Sequence, residues 1–325
     1  MASDAQKKPG MVEEFLGEFR QLWPQLPNKG LFFGLLAAWL ALFHFLGNST
    51  FGYFDTPSLL EWLGRVYGQP NSEDSHGMLI PLAVLGLFWW KRRELMALPR
   101  AVWWPALLLL ALALALHIAG YLIQQPRVSV VAMFVGIYSL IGLVWGRAWL
   151  MGSFFPFVLF VFCVPVASLS EPITFPLRLL VAKISVGISN SLLGIDVVRD
   201  GTQIMDLKRT FQYDVAPACS GIRSLVSLVA LTTIYGFLTF RPWWKRGLMV
   251  IVAAPLAVLG NVVRITGVII AAEAFGHSAG VMIEQKLGFL TFAIALVGVF
   301  VLGHLLRDRK SAPAPGVMSA EVKPV

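Results

Sequence analysis

Cys219 has the surroundings that best suit a chemical role. It lies in Ala218-Cys219-Ser220-Gly221-Ile222-Arg223, where a polar loop runs into an apolar segment of helical length. A helix N-terminus carries a partial positive charge, which favours the thiolate over the thiol. Arg223 follows four residues later and would lie on the same helical face. This arrangement predicts a nucleophilic cysteine. A cysteine that only fills a packing gap is the alternative.

Arg264 is the second residue that could take part in chemistry. It lies in Gly260-Asn261-Val262-Val263-Arg264-Ile265-Thr266, inside the apolar stretch 248–272. An arginine in a membrane span costs about 3 kcal/mol or more, and it indicates a function and a partner. Counted from the cytoplasmic end at about 1.5 Å per residue, Arg264 lies about 26 Å along the helix, at the depth expected for Cys219. Snorkelling to the outer headgroups is the alternative, but it leaves the neighbouring Asn261 unexplained.

Two residues near the C-terminus could exchange a proton with the thiol. His277 and Glu284 are seven residues apart in the connection between the last two apolar segments, so a helix would place both on one face. A thiol nucleophile needs a base or a positive partner, and imidazole suits this role near neutral pH. A carboxylate beside Cys219 would oppose thiolate formation unless Arg264 or Arg223 neutralises it. Both residues therefore stay candidates.

A polar motif upstream contains a second histidine. His76 lies in Ser72-Glu73-Asp74-Ser75-His76-Gly77, directly before an apolar run. On spacing alone this motif is a polar loop that caps the following helix. A ligand-binding or catalytic role for His76 is the alternative.

The composition is that of a polytopic membrane protein. Of 325 residues, 57% are apolar and 14% are charged, whereas soluble domains have about 25% charged residues. The net charge of +8 would also suit a nucleic-acid-binding protein. The basic residues, however, form short clusters at the ends of apolar segments, which is the orientation signal of membrane proteins. We therefore exclude nucleic-acid binding. Two cysteines are too few for a disulfide framework.

The hydropathy pattern predicts an all-α bundle of about eight transmembrane helices. These helices are expected at residues 31–47, 78–91, 102–123, 128–146, 149–169, 222–240, 247–272 and 287–306. The basic clusters then share one side, so both termini are predicted to be cytoplasmic, with the acidic loop 48–77 and Cys219 on the outer side. We expect a cytoplasmic segment at 1–30, one transmembrane domain at 31–306 and a disordered cytoplasmic tail at 307–325.

Residues 172–195 do not fit this scheme directly. They are apolar enough for a ninth span, yet they contain two prolines and two basic residues. A ninth span would move Cys219 into the cytoplasm, so we predict a helix that lies in the outer membrane interface. After it, Asp200-Gly201 separates two apolar runs within residues 197–204, which predicts a short hairpin-like outer loop.

Together these motifs resemble the exosortase/archaeosortase family of integral-membrane cysteine transpeptidases. The hexapeptide around Cys219 is similar to the nucleophile motif of that family, and Asn261-Val262-Val263-Arg264 is similar to its arginine motif. Ser75-His76-Gly77, an apolar run and Lys91-Arg92-Arg93 resemble its N-terminal half. The likeness covers residues 48–306.

The resemblance implies an enzyme of protein sorting in the inner membrane, with its active site at the outer face. Its substrates would be exported proteins whose C-terminal signal combines a short motif such as Pro-Glu-Pro, a transmembrane helix and a basic tail. Cys219 would form a thioester with the exported protein and pass it to an acceptor that the sequence does not identify. Arg264 is expected to stabilise the developing oxyanion or to hold the thiolate. Arg223, His76 and Asn261 are predicted to contact the substrate. No cofactor and no metal ion are predicted.

The chain departs from the family pattern at one position. The family commonly has a histidine four residues before a glycine-aromatic pair, and here Gly288-Phe289 places Glu284 at that position. Either Glu284 is the proton partner, or His277 substitutes for it, or the chain is a catalytically impaired member. A transporter or lipid-headgroup-binding protein, with Arg264 and Arg223 on an anionic group, is the alternative from another functional class.

Overall fold

The chain forms two compact, mostly helical units, residues 1–168 and 169–325. The computed structural model describes residues 10–50, 54–69, 72–166, 171–208, 210–214, 222–286 and 288–307. Cys219 lies outside the described residues, as does the predicted tail beyond Arg307.

The first unit is built from helices joined by short connections. Its helices are α1 (Met11–Leu22), α2 (Lys29–Leu46), α3 (Leu59–Gly68), α4 (Ile80–Trp90), α5 (Arg92–Met96), α6 (Ala106–Leu122), α7 (Pro126–Trp145) and α8 (Arg147–Val158). Three 3-10 helices supplement them at Trp23–Gln25, Ser75–Met78 and Leu159–Cys163. The first five apolar segments predicted from the sequence coincide with α2, α4, α6, α7 and α8.

Close packing of α2 on α7 depends on a glycine. A Cβ atom added to Gly136 of α7 would lie 2.1 Å from a ring carbon of Trp39 in α2. The indole Nε1 of Trp39 donates a hydrogen bond of 3.0 Å to the Met133 carbonyl, one turn earlier on α7. In a membrane, the surrounding lipid is as apolar as a neighbouring helix, so burial of apolar surface does not drive two helices together. Small residues at the contact let the helix backbones approach closely, and this close packing stabilises the pair. The large Trp39 ring therefore lies flush against the α7 backbone.

Helix α1 is attached to the start of α5 by its one inward-facing carboxylate. The Glu18 carboxylate accepts hydrogen bonds from the guanidinium groups of Arg92 and Arg93, the latter at 3.0 Å from Nε. The ring of Phe15 packs on that of Trp89 with centroids 4.4 Å apart. The opposite charge holds the pKa of Glu18 below its ordinary value of 4.5, first because Arg92 donates a hydrogen bond to the ionised form.

The second unit combines helices with a small sheet. Its elements are α9 (Glu171–Leu192), β1 (Val197–Asp200), β2 (Gln203–Asp206), β3 (Gln212–Asp214), α10 (Ile222–Thr239), α11 (Trp243–Phe275), α12 (His277–Lys286) and α13 (Gly288–Leu305). The last three predicted spans coincide with α10, α11 and α13. Helix α11 packs against α9, α10, α12 and α13 and is the central element of this unit.

The predicted hairpin is present, and it belongs to a three-stranded antiparallel sheet of order β1-β2-β3. Gly201 makes the β1–β2 turn with φ +59°, a conformation that glycine adopts at no steric cost. The sequence did not predict β3, which has only three residues. Asn190 of α9 joins the sheet to its helix, since its side-chain amide exchanges two hydrogen bonds of 3.0 Å with the Val197 backbone.

The uncertain segment 172–195 is helical over most of its length, as α9. Val181 and Ala182 of α9 pack in one hydrophobic cluster with Ile265 and Ile269 of α11. Ser185 and Ser189 continue the same face and are fully buried. Its helical structure is confirmed, whereas its position in the membrane interface stays a prediction.

The membrane character of the chain is confirmed, whereas the number of crossings is not established. Within the described residues, the helices Lys29–Leu46, Pro126–Trp145 and Trp243–Phe275 are long and apolar enough to cross a bilayer. Shorter apolar helices occupy Ser75–Trp90, Ala106–Leu122, Arg147–Cys163, Leu225–Thr239 and Phe292–Leu305. Every predicted span thus contains an apolar helix, and the count of eight stays a prediction.

Glu18→Gln is expected to loosen α1, because it leaves two neighbouring arginines without a negative partner. Limited proteolysis of the purified protein should then cut faster within residues 11–22. Since the pKa of Glu18 is lowered in the folded state, its contribution is present above pH 4.5 and is lost as the pH falls through the lowered pKa. Cleavage of the wild-type protein should therefore accelerate on acidification, and cleavage of Glu18→Gln should not.

Glu14→Gln is the matched control for Glu18→Gln, because Glu14 is an exposed acid on the same helix. Equal cleavage of the two variants would show that Glu18 does not hold α1.

Candidate active site

Arg264 lies within the continuous helix α11, as the sequence predicts. The helix has 33 residues and is about 50 Å long at about 1.5 Å per residue. Asn261, one turn before Arg264, is buried with 3% of its surface exposed. Val262 and Ile265 enter the hydrophobic cluster that α11 shares with α9 and the sheet. Arg264 itself is half-buried at the edge of this cluster.

The Arg264 guanidinium donates a hydrogen bond to a backbone carbonyl on α12. Its Nη2 donates a hydrogen bond of 2.9 Å to the carbonyl oxygen of Glu284. Its Nε is buried and finds no hydrogen-bond partner among the residues that the structure describes. The Oγ1 atom of Thr266 is likewise buried and has no hydrogen-bond partner among the described residues. The guanidinium thus retains donors for a further oxygen atom.

Helix α12 reaches Arg264 because the chain reverses at Gly276. This residue ends α11 with φ +86° and donates a hydrogen bond of 2.9 Å to the Ala272 carbonyl. Glycine is the residue that ends helices in this way with least strain. Gly280 then lies close to Ala272, since an added Cβ atom would be 3.1 Å from the Ala272 Cβ. The reversal places Glu284 beside Arg264, twenty residues away in sequence.

His277 and Glu284 lie on the same helix, seven residues apart, as predicted. At about 1.5 Å per residue their backbones are about 10 Å apart along α12. The hydrogen bond to Arg264 is made at the Glu284 end of the helix. The structure therefore brings Arg264 together with Glu284, and it places His277 about two turns away.

Tyr213 of β3 belongs to this constellation, and sequence reasoning missed it. Its hydroxyl donates a hydrogen bond of 2.8 Å to the His277 carbonyl. Its ring stacks on the His277 imidazole with centroids 5.2 Å apart and planes 22° apart. The local signal was a pair of aromatic residues with strand spacing, Phe211 and Tyr213, six residues before Cys219.

The Tyr213 phenol stays a hydrogen-bond donor over the physiological pH range. Burial raises its pKa, and the negative charge of Glu284 raises it further. Both effects disfavour the phenolate. The Glu284 charge thus acts on Tyr213, and the Glu284 backbone carbonyl accepts a hydrogen bond from Arg264.

The nucleophile motif meets the described structure at the start of α10. This helix begins at Ile222, as predicted for 222–240, and Cys219 precedes it by three residues. Cys219 lies outside the described residues, and so does the side chain of Arg223. Helix α10 packs along α11, the helix that carries Arg264.

His76 lies in the first unit, in a 3-10 helix directly before α4. The adjacent Gly77 is buried, and an added Cβ atom would lie 2.6 Å from the Tyr67 ring. Tyr67 in turn donates a hydrogen bond to the Cys163 carbonyl, and the Cys163 thiol lies 3.6 Å from the Gly77 carbonyl oxygen. Only a glycine fits at position 77 against the Tyr67 ring, and buried Cys163 contacts both Tyr67 and Gly77. Substrate binding by His76 stays a prediction.

Among the described residues, no group of three histidine, cysteine, aspartate or glutamate side chains could hold a metal ion. The described site consists of a guanidinium, a carboxylate, an imidazole and a phenol.

The family model described as transmembrane exosortase matches residues 62–301. No curated protein matches the chain, and neither does any solved structure. The matched range covers well over half of the 325 residues and contains the turn at His76, Cys219 and the paired Arg264 and Glu284. The chain therefore belongs to the transmembrane exosortase family.

Proposed function

We propose that this protein is a cysteine transpeptidase that cleaves the C-terminal sorting signals of exported proteins at the outer face of the inner membrane. The observation that carries the proposal is the Arg264–Glu284 contact. In this contact, the arginine of one motif donates a hydrogen bond to the backbone carbonyl of the residue at the family's usual histidine position. The nucleophile motif leads into α10, the helix that packs beside Arg264's own helix. Family membership supports an exosortase-type function.

The proposed reaction has two acyl-transfer steps. The Cys219 sulfur attacks the carbonyl carbon of the scissile peptide bond, and the thiol proton passes to a base. The carbon–nitrogen bond then breaks, the proton goes to the departing amine, and a thioester joins the exported protein to Cys219. A nucleophilic group of the acceptor attacks this thioester, and the thiol is restored.

Arg264 is proposed to stabilise the oxyanion that forms in both steps. One guanidinium nitrogen is used by the Glu284 carbonyl, so the group is oriented before substrate binds. The Nε donor has no partner in the described part of the chain, so it is available to hydrogen-bond a developing negative charge. Preorganised donors act strongly in an apolar, water-poor site. Asn261, buried one turn away, is proposed to contact the peptide.

We propose Glu284, rather than His277, as the proton partner. A carboxylate beside a thiolate is disfavoured by like-charge repulsion, and a neighbouring guanidinium offsets this repulsion. Arg264 lies against the Glu284 backbone, whereas His277 lies about two turns away and stacks on Tyr213. Glu284 would take the thiol proton and deliver it to the departing amine. His76 and Arg223 are proposed to contact the sorting motif.

The proposed topology has eight membrane crossings, both termini in the cytoplasm, and α9 with the sheet at the outer surface. The apolar helices of both units support a membrane-embedded enzyme. The transmembrane helix of the sorting signal would dock among the spans, which places its short motif at the level of Cys219.

Cys219→Ala should abolish covalent capture of substrate, because no other group supplies the attacking sulfur. The assay incubates the protein in proteoliposomes with a peptide that carries the sorting motif, the transmembrane helix and the basic tail. Intact-mass spectrometry should detect the thioester adduct in the wild-type protein and none in Cys219→Ala. Cys163→Ala is the matched control and should keep the adduct, because Cys163 is buried among packed side chains. A lipid-headgroup-binding protein would give no adduct at all.

Arg264→Gln should slow cleavage by about 10²- to 10³-fold, the loss typical for removal of one oxyanion donor. Arg246→Gln is the matched control. Arg246 lies on the same helix and also donates to a backbone carbonyl, that of Phe240 at 2.7 Å. Both variants remove an arginine with a similar structural role, so an equal and small effect on kcat would contradict a catalytic role for Arg264.

Glu284→Gln should lower kcat by about 10²- to 10⁴-fold, as expected for loss of a general acid–base group. Glu284→His restores the residue that the family commonly has and should retain most activity. His277→Gln should cause a smaller loss than Glu284→Gln. The reverse order of the two losses would assign the proton to His277.

A further inference from the structure

Helix α12 is held through two of its backbone carbonyl groups. The Tyr213 hydroxyl donates to the carbonyl of His277, the first residue of the helix. Arg264 donates to the carbonyl of Glu284, close to the last residue. Glu284 belongs to the last turn of α12, where helix carbonyls can accept hydrogen bonds from groups outside the helix. The two bonds attach α12 to β3 at one end and to α11 at the other.

The Tyr213 ring is closely fitted against the first turn of α12. Only 5% of the Tyr213 surface is exposed, and its ring stacks on the His277 imidazole. Gly280, one turn along α12, leaves space for the hydroxyl, since an added Cβ atom would lie 2.1 Å from the Tyr213 oxygen. Tyr213 also packs in the cluster that contains Val262 and Ile265 of α11. The Tyr213 phenol is therefore packed between β3, α11 and α12.

We infer that Tyr213 is a positioning residue, which acts through α12 to hold Glu284 against Arg264. This role rests on the proposed transpeptidase function. The hydroxyl is the active group, because it makes the hydrogen bond to His277, whereas the ring supplies packing that phenylalanine retains. Tyr213 itself does not touch the reacting atoms.

The test compares Tyr213→Phe with a matched tyrosine elsewhere in the same unit. Tyr235 of α10 packs against a separate hydrophobic cluster, and its hydroxyl lies over Gly303 as that of Tyr213 lies over Gly280. Tyr213→Phe should lower kcat for the sorting-signal peptide by about 3- to 10-fold, the net value of one hydrogen bond, with KM unchanged. Tyr235→Phe should leave both constants unchanged. Gly280→Ala should lower kcat and Gly303→Ala should not.

Hydrogen exchange of the full-length protein in detergent supplies a second readout that needs no activity. Tyr213→Phe should speed amide exchange in residues 277–286 and leave residues 222–239 as in the wild-type protein. Tyr235→Phe should not speed exchange in 277–286. Unchanged exchange in 277–286 for Tyr213→Phe would overturn the structural half of the inference.

The outcomes separate this inference from the proposed function. If α12 loosens and kcat is unchanged, or if KM rises as kcat stays constant, Tyr213 does not position the catalytic groups. If the wild-type protein forms no adduct at Cys219, the transpeptidase proposal fails, and with it the catalytic part of the inference. The exchange measurement then still decides whether Tyr213 holds α12.

Discussion

The second unit depends on how a guanidinium is accommodated within an apolar helix. Arg264 cannot lose its hydration without hydrogen-bond acceptors, and α11 uses its own carbonyls internally. The acceptor comes from the last turn of α12, where the Glu284 carbonyl accepts from Arg264. One contact thus gives a donor of the half-buried guanidinium an acceptor from a neighbouring helix. It requires the chain to reverse at Gly276, which the positive φ of that glycine permits.

The small sheet gives this contact a second support. Asn190 ties β1 to the end of α9, and Tyr213 ties β3 to the start of α12. Helix α9 packs on α11 through small and aliphatic side chains, so the sheet is anchored to the same helix that carries Arg264. The candidate chemistry is therefore held by α9, β3 and α12 around one long apolar helix. In the first unit, Trp39 on Gly136 and Glu18 between two arginines set the packing instead.

Much of the fold could be predicted because its signals are local. Runs of apolar residues bounded by basic clusters located the apolar helices of the described residues, and Asp200-Gly201 located the β1–β2 turn. Strand β3 was missed because three residues are too few to establish a periodic pattern, and its local signal is limited to the aromatic pair Phe211 and Tyr213. The helix over 172–195 was predicted, but its packing on α11 was not, since its buried serines look like a solvent-facing surface in sequence.

The sequence alone determined the family, the apolar helices, and Cys219, Arg264, His277 and Glu284 as the residues to consider. It left His277 and Glu284 equal, because helical periodicity puts both on one face and says nothing about what that face meets. Tertiary structure decided that Arg264 meets the Glu284 end and that Tyr213 meets the His277 end. These contacts join residues 20 and 64 positions apart. They arise from the packing of α12 between a long helix and a short strand, which no local pattern encodes.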